Sequence, residues 1–225
     1  MKSYLLKKVP LFSTLEEEEL EKVLRLTNLR KYSKGNLILM ESEEGSSLFI
    51  ISRGSVKISR ISDDGKEVIL AILRNGDFFG EMSLLDGLSR SANVTAIEDS
   101  ELLILRREDF LNLIKEYPEI TISLLKELAK RLRKSDSQIE SLSLMNATGK
   151  VASAILQLID YSDDNLKGPA EIKNLPSQQN LASMAGTSRE TISRVLQNFI
   201  KEGLIKKEGK KLIINDLKKF REKFK

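Results

Sequence analysis

Arg189, Glu190, Ser193 and Arg194 cluster in one short stretch of the chain, and their types are those that read the edges of base pairs. Arginine offers a forked donor that matches guanine N7 and O6, and glutamate accepts from the cytosine amino group. Their spacing sets which way they point. At about 100° per residue, Glu190, Ser193, Arg194 and Gln197 share one helix face. The opposite face carries Ile192, Val195, Leu196 and Phe199 at i, i+3, i+4 and i+7, a single apolar stripe. Arg189 flanks them in the first turn, and Ser188 is a suitable N-cap. Such a helix needs a partner to hold it. A shorter helix, capped by Ser177 and anchored by Leu181, Met184 and Ala185, ends at Gly186, where a sharp turn requires a residue tolerant of positive φ. Beyond the second helix, Leu204–Ile205, a turn at Glu208–Gly209 and Leu212–Ile214 form a two-stranded wing. The competing explanation is that Glu190 and Arg194, four apart, simply pair on a solvated face. Cap, turn, stripe and wing in register favour a recognition helix presented to DNA.

A second constellation lies in GDFFGEMSLLDGLSRSANVTAI. Gly80–Glu81–Met82–Ser83 reads as a glycine turn opening a helical segment, where free backbone N–H groups face an anion. Arg90–Ser91–Ala92 returns to the same place. Arginine and a hydroxyl supply charge-assisted bonds to a phosphate. Glu81 repels a phosphate but accepts from a sugar hydroxyl. An ordinary glycine turn beside an arginine is the alternative.

Charge distribution agrees with two different tasks. From Ser177 onward the chain carries 12 Lys/Arg against 5 Asp/Glu, and the rest carries 25 against 28, for a net charge of +4 overall. Positive charge therefore gathers on the helix-turn-helix segment, as a polyanionic partner requires, although a solubilising lysine-rich tail would look the same. The chain has no Cys and no His. Disulfides, Cys-ligated iron–sulfur clusters, His- or Cys-ligated haem, imidazole metal sites and His-dependent nucleophilic catalysis are excluded. No run approaches the length of a membrane span and the N-terminus lacks a signal-peptide core, so a cytoplasmic protein is expected.

Three segments must position these groups: residues 1–117, 118–146 and 147–225. The first opens with a helix at LEEEELEKVLRL, capped by Thr14, with its acidic run on the favourable end of the helix dipole rather than on a metal. Glycines then recur at 35, 45, 54, 65, 76 and 87, punctuating short apolar runs at Leu37–Met40, Leu48–Ser52, Val56–Ile61, Val68–Leu73, Val94–Ile97 and Leu102–Leu105. Turns at that spacing indicate a β sandwich closed as a jelly roll, with Asp64–Gly65 as a hairpin turn. A helix at REDFLNLIKEY follows, then a long one from Pro118 to about Met145. On it Leu125, Leu128, Leu132, Ser135, Ile139 and Leu142 alternate in steps of 3 and 4, a seam for pairing two subunits or for packing on its own chain. A further amphipathic helix runs from Thr148 to Tyr161 through Val151, Ile155, Leu158 and Ile159. A polar loop, YSDDNLKGPAEIKNLP, holds room for a short strand pair, and a charged helix begins near Asp216.

The glycine–arginine loop resembles the phosphate-binding cassette of cyclic-nucleotide-binding domains. The segment Gly186 to Leu196 is similar to the recognition element of the cyclic-AMP receptor protein/FNR family of bacterial transcription regulators, and the order of roll, long helix and winged helix-turn-helix is that family's over nearly the whole chain. The resemblance implies an α+β fold: an N-terminal β jelly roll, a long dimerisation helix and a C-terminal winged helix-turn-helix domain. It implies a homodimer, an operator in double-stranded DNA, RNA polymerase as a partner, no membrane, and a small cyclic nucleotide as effector. Glu81 takes the ribose 2′-hydroxyl, Arg90 and Ser91 take the cyclic phosphate, and Gly80, Met82, Ser83 and Ala92 line it. Ser135 and Asp136 meet the base. Arg189, Glu190 and Arg194 read base edges, with Ser188 and Ser193 beside them, and Ser177 and Gln179 touch DNA phosphates. Cyclic AMP is the leading effector. The cyclic-AMP sensors carry small hydroxyl residues at both base positions, whereas the second is here Asp136, whose carboxylate can accept two bonds from guanine, so cyclic GMP stays open. The haem and iron–sulfur branches of the family need the His or Cys that this chain lacks. Arg189 is similar to the cyclic-AMP receptor branch and Ser193 to the FNR branch. Two other classes compete: a cupin-type jelly-roll enzyme, disfavoured by the absence of His, and a nucleotide-binding regulatory subunit acting on a protein, disfavoured by the wing and the basic terminus.

Overall fold

The structure is a computed structural model that describes residues 3–159 and 168–224. The chain divides into two compact units, Met1–Arg131 and Leu132–Lys225.

The first unit starts with α1 (Ser3–Lys7), a 3-10 turn at Pro10–Phe12 and α2 (Glu17–Arg25). The cap of α2 is Glu16, not Thr14: the Glu16 N–H donates to the Glu19 carboxylate at 2.7 Å, which the acidic run makes possible two residues later than expected. Eight strands follow, β1 (Thr27–Tyr32), β2 (Leu37–Leu39), β3 (Ser47–Arg53), β4 (Ser55–Ile61), β5 (Glu67–Arg74), β6 (Phe78–Phe79), then α3 (Glu81–Asp86), β7 (Asn93–Ala96) and β8 (Ser100–Arg106). They form two antiparallel four-stranded sheets, β1-β8-β3-β6 and β2-β7-β4-β5, the expected double-sheet roll. Asp64–Gly65 does turn the β4–β5 hairpin, with Ile61 opposite Glu67 and Gly65 at φ +78°. Two strands escaped the sequence pattern. β1 is a mostly exposed edge strand without an apolar run, and β6 is only two residues long.

Period-two alternation explains how one sheet serves two cores. In β3, Phe49 and Ile51 point into the roll with Val56, Phe79, Val94 and Leu102. Leu48 and Ile50 point the other way, against Leu6, Phe12, Leu20 and Val23 of the N-terminal helices and Phe110 and Leu113 of α4 (Arg107–Glu116). The same outer core takes Ile120 and Leu124 from α5 (Pro118–Leu144), the long helix. At its far end α5 meets α6 (Ala147–Leu156) at a tight corner. The Asn146 side chain accepts from the Gly149 N–H at 3.0 Å, and a Cβ on Gly149 would stand 3.0 Å from Met145 Cβ. α6 ends at Leu156, where Gln157 caps it, short of the expected Tyr161; residues 160 and 161 lie outside the described residues.

The second unit continues with β9 (Ala170–Ile172), α7 (Gln178–Ala185), α8 (Arg189–Lys201), β10 (Ile205–Glu208), β11 (Lys211–Ile214) and α9 (Leu217–Lys223). β9 pairs with β11, not within its own loop, so the wing is a three-stranded sheet in the order β10-β11-β9. Leu204 stays outside β10. Ser177, Ser188 and Asp216 each cap the helix they precede, accepting from Asn180, Thr191 and Lys219 N–H groups. Gly186, at φ +58°, closes α7 in the left-handed region. Ile192, Val195, Leu196 and Phe199 are all buried. Phe199 packs edge-on against Phe220 of α9 with ring centroids 5.4 Å apart.

Phe199 thus ties the second helix of the helix-turn-helix to the last helix. Phe199→Ala is expected to cost about 3–5 kcal/mol, the range for emptying a buried aromatic site. Amide exchange by mass spectrometry should show lost protection in α8 and α9 while the roll keeps its own. Uniform loss in both units would contradict that assignment.

Candidate functional site

The cassette is built on a glycine. Strand β6 pairs Phe79 with Phe49 and brings the chain to Gly80, whose φ is +86°. A Cβ there would lie 2.8 Å from Arg90 Nη1 and 3.0 Å from the Ser47 carbonyl, so conformation and space both demand glycine. Gly45 makes a second close approach, since its Cβ would fall 2.3 Å from that of Ser83. Arg90 sits between these backbones, only 5% exposed. Its Nη1 donates to the Gly80 carbonyl and its Nη2 to the Ser47 carbonyl, each at 2.9 Å. Its own backbone is clamped as well: Arg90 N–H donates to Glu43 and the Arg90 carbonyl accepts from Ser42. Burial lowers the Arg90 pKa, while the Glu81 and Glu43 carboxylates pull it back up. The third nitrogen, Nε, is buried without a partner among the described residues.

Glu81 shows the complementary defect. It is 4% exposed; Oε1 accepts from Arg131 Nη1 at 3.0 Å, and Oε2 is buried with no partner among the described residues. A buried unpaired polar atom costs roughly 1–3 kcal/mol, and two of opposite kind in one place call for a ligand that brings an acceptor to one and a donor to the other. A phosphate oxygen for Arg90 Nε and a hydroxyl for Glu81 Oε2 meet both demands. Of the other cassette residues, Ser83 and Ala92 are buried, while Met82 and Ser91 are exposed and touch through a weak Oγ–Sδ contact of 3.8 Å.

Arg131 is the cassette residue that the motif does not include. Besides Glu81, it donates from Nη2 to the Phe78 carbonyl at 2.7 Å, and its guanidinium lies 4.4 Å from the centre of the Phe78 ring. It comes from α5, fifty residues away from Glu81 in sequence. The only signal for it was chemical: a glutamate beside two phenylalanines needs a counter-ion. Ser135 and Asp136, the two residues assigned to the base, are exposed on α5 and belong to the second unit.

The stripe on α5 keeps Leu125, Leu132 and Ile139 of the expected seam but runs through Ala129 and Asp136 where Leu128 and Ser135 were expected. Apart from Leu144 at the helix end, the exposed large apolar residues are Ile122, Leu125, Leu132 and Ile139, at 53, 58, 64 and 63% exposure. With Ala129 and Asp136 they step 3-4-3-4-3 along the helix. Leu128 instead packs on the sensor core, and Leu142 turns toward Gly186. Asp136, not Ser135, is therefore the polar interruption of the stripe.

In the second unit, Ser177, Gln179, Ser188, Arg189, Glu190 and Arg194 are exposed and Ser193 is half-buried, along the leading ends of α7 and α8. The i,i+4 pair between Glu190 and Arg194 does not form. Arg194 makes no hydrogen bond or ion pair among the described residues. The Glu190 carboxyl is held by its own backbone N–H and by Ser188, which lower its pKa and keep it an acceptor. Beside them the wing exposes Lys206, Lys207 and Lys210, and the Lys210 carbonyl accepts from Leu175 N–H, fixing the wing tip to the loop before α7. Lys211 is occupied by Glu171 at 2.9 Å. Among the described residues no helix is long and apolar enough to cross a membrane.

Comparison with known proteins covers both segments. The profile of the cyclic nucleotide-binding domain matches residues 29–117, and that of the Crp-like helix-turn-helix domain matches residues 149–223. The chain is 40% identical over 198 residues to the cyclic AMP receptor protein of Thermus thermophilus, covering 88% of each. It is 34% identical over 185 residues to the CRP-like cAMP-activated global transcriptional regulator of Mycobacterium tuberculosis, covering 82% of this chain and 83% of the relative. Among solved structures, the Thermus thermophilus catabolite activator protein superposes with a TM-score of 0.55 at 37% identity, over 96% of this chain and 98% of that one. A buried donor and acceptor beside a glycine turn, and an arginine on a capped second helix, all without partners among the described residues, are thus set in a chain that belongs to the cyclic-AMP receptor protein/FNR family of DNA-binding transcription regulators.

Proposed function

We propose that the protein works as a homodimer in the cytoplasm, binds a cyclic nucleotide in each roll, and reads a palindromic operator with its two α8 helices. The observation that carries the effector reading is the matched pair of unsatisfied buried atoms, Arg90 Nε and Glu81 Oε2. In the cyclic nucleotide the phosphate faces Arg90 and Ser91, with Gly80, Met82, Ser83 and Ala92 around it, and the ribose 2′-hydroxyl faces Glu81. Ser135 and Asp136 are the base-reading positions on the strength of resemblance. Cyclic AMP is the first effector to test, since the relatives above are named for it. Cyclic GMP is the second, because Asp136 is an exposed carboxylate with no partner among the described residues and guanine offers it two donors. RNA polymerase enters as a partner by resemblance.

The dimer reading rests on the exposed stripe of α5, whose period is that of a two-helix seam. The operator reading rests on Arg189, Glu190 and Arg194, exposed together on a short capped helix. Arg194 and Glu190 suit one G·C pair and Arg189 a second guanine, with half-sites roughly 10–10.5 bp apart or a multiple of that.

Calorimetry against cyclic AMP and cyclic GMP tests the effector site. Arg90→Ala should weaken whichever nucleotide binds by at least about tenfold, since bonds to charged groups are worth about 1.5–3 kcal/mol. Unchanged affinity for both would remove Arg90 from the site. Sedimentation at micromolar concentration tests the seam: Leu132→Asp faces its own image across a two-fold axis and should shift dimer toward monomer, whereas a fully dimeric variant moves the interface elsewhere. Selection from random DNA tests the reading helix. Arg194→Ala should lose about 1–3 kcal/mol and relax choice at one base pair of each half-site, and recovery of the wild-type motif at full preference would refute the assignment.

A further inference from the structure

The first unit has a cavity of about 220 Å³ that shares only Ser83 with the cassette; neither Arg90 nor Glu81 lines it. Its walls come from three segments. The loop between β2 and β3 gives Glu44 and Gly45. The helix α3 and the turn after it give Ser83, Gly87, Leu88 and Ser89, and the first residue of α4 gives Arg107. Gly45 brings the loop onto α3, since a Cβ there would fall 2.3 Å from that of Ser83. Arg107 ties all three together. Its backbone N–H donates to the Ser46 carbonyl at 2.9 Å, and its Nε to the Leu84 carbonyl at 3.1 Å.

The polar groups around this space are unengaged among the described residues. Nη1 and Nη2 of Arg107 bond nothing, and the Glu44 carboxylate is in no ion pair. Glu43, its neighbour, acts instead on Arg90. The hydroxyls of Ser83 and Ser89 make no hydrogen bond either, although Ser83 is only 3% exposed. A polar group on so buried a residue needs a partner, and the cavity is where one can stand. A guanidinium and a carboxylate that face one small space without pairing call for a ligand that carries both charges. An anion alone would meet Arg107 and be repelled by Glu44; a cation alone would suffer the reverse. With Nε spent on Leu84, the two Nη groups remain as parallel donors that match a carboxylate. Leu88, 67% exposed, adds an apolar wall. The volume lies below the roughly 300–1,000 Å³ of pockets for drug-sized ligands, so the occupant is small.

We propose that this cavity binds a free α-amino acid with a small apolar side chain. Its carboxylate lies on Arg107, its ammonium group on Glu44 and its side chain against Leu88, with the Ser83 and Ser89 hydroxyls completing the polar contacts. The site is separate from the nucleotide cassette and stands whether or not a nucleotide binds there. The two sites close on one glycine: a Cβ on Gly45 would also stand 3.0 Å from Arg90 Cζ.

The test is calorimetry of the full-length protein, without nucleotide, against L-valine, L-leucine and L-methionine. At least one should bind. Two analogues of valine separate its charges: isovalerate lacks the ammonium group and isobutylamine lacks the carboxylate. Each should bind at least about tenfold more weakly than the amino acid, having lost one charge-assisted contact. Glu44→Gln and Arg107→Gln, both at exposed positions, should each lower amino-acid affinity by a similar factor, while Arg90→Ala should change it less than twofold. In the wild-type protein, amide NMR shifts on adding the amino acid should centre on Gly45, Ser83 and Gly87–Ser89, a readout that holds even if a variant fails to fold. Failure of all three amino acids to bind overturns the inference. So does isovalerate or inorganic phosphate binding as tightly as the amino acid, which would make the place a simple anion site. Undiminished affinity in Glu44→Gln, shifts centred elsewhere, or a loss confined to Arg90→Ala would equally refute it.

Discussion

A guanidinium at 5% exposure is tolerable only where fixed oxygens surround it, and Arg90 imposes that condition on everything nearby. Two of its acceptors are backbone carbonyls, from Gly80 and Ser47, which belong to different segments. They converge because β6 pairs with β3 and because Gly80 has no side chain to hold them apart. The first sheet of the roll, the glycine turn and the start of α3 are thus fixed by one buried cation. The same requirement leaves Nε with nothing to bond among the described residues, which is the ground for proposing a ligand there.

Glu81 extends that logic to the long helix. A buried carboxylate next to Arg90 still needs a second cation, and Arg131 supplies it from α5 while stacking on Phe78. A ligand hydroxyl that bonds Glu81 must share that carboxylate with Arg131. In the proposed site the ligand and the helix that leads away from it therefore meet at one side chain, which would couple them by a shared hydrogen-bond acceptor and not by distance alone.

Much of this was legible from residue order, and the failures have physical causes. Ser177, Ser188 and Gly186 were read correctly because caps and left-handed turns are local, decided within a few residues. The apolar stripe of α8 was equally plain, since four large side chains at helical spacing leave one possible buried face. Thr14 was misread as a cap because several residues before an acidic run can serve, and Glu16 also has Glu19 to reach back to it. The edge strand β1 carries no alternation to betray it: one neighbour suffices, so most of its side chains face solvent. On α5 two seams that share Leu125, Leu132 and Ile139 satisfy the same 3-4 rhythm, one running through Leu128 and Ser135, the other through Ala129 and Asp136. Only the burial of Leu128 on the sensor core and the contact of Leu142 with Gly186 separate them. Arg131 could not be picked out because its partners lie at Phe78 and Glu81: the chemistry of Glu81 asks for a counter-ion, but a linear pattern does not say which cation comes from that far along the chain.

The division of α5 has a consequence for how such proteins can be recombined. Sequence boundaries suggest a junction before Pro118, where one family profile stops. A sensor cut there loses Ile120 and Leu124 from its core and Arg131 from its cassette, exposing the apolar surface that they cover. Grafting a foreign reading head at that point transplants a wounded sensor. The natural splice lies fourteen residues later, inside a continuous helix between Arg131 and Leu132, where neither half surrenders a buried residue. Chimeras and evolutionary exchanges of heads between relatives should preserve helical phase across that single peptide bond, since one inserted residue would turn the head by about 100° about the helix axis.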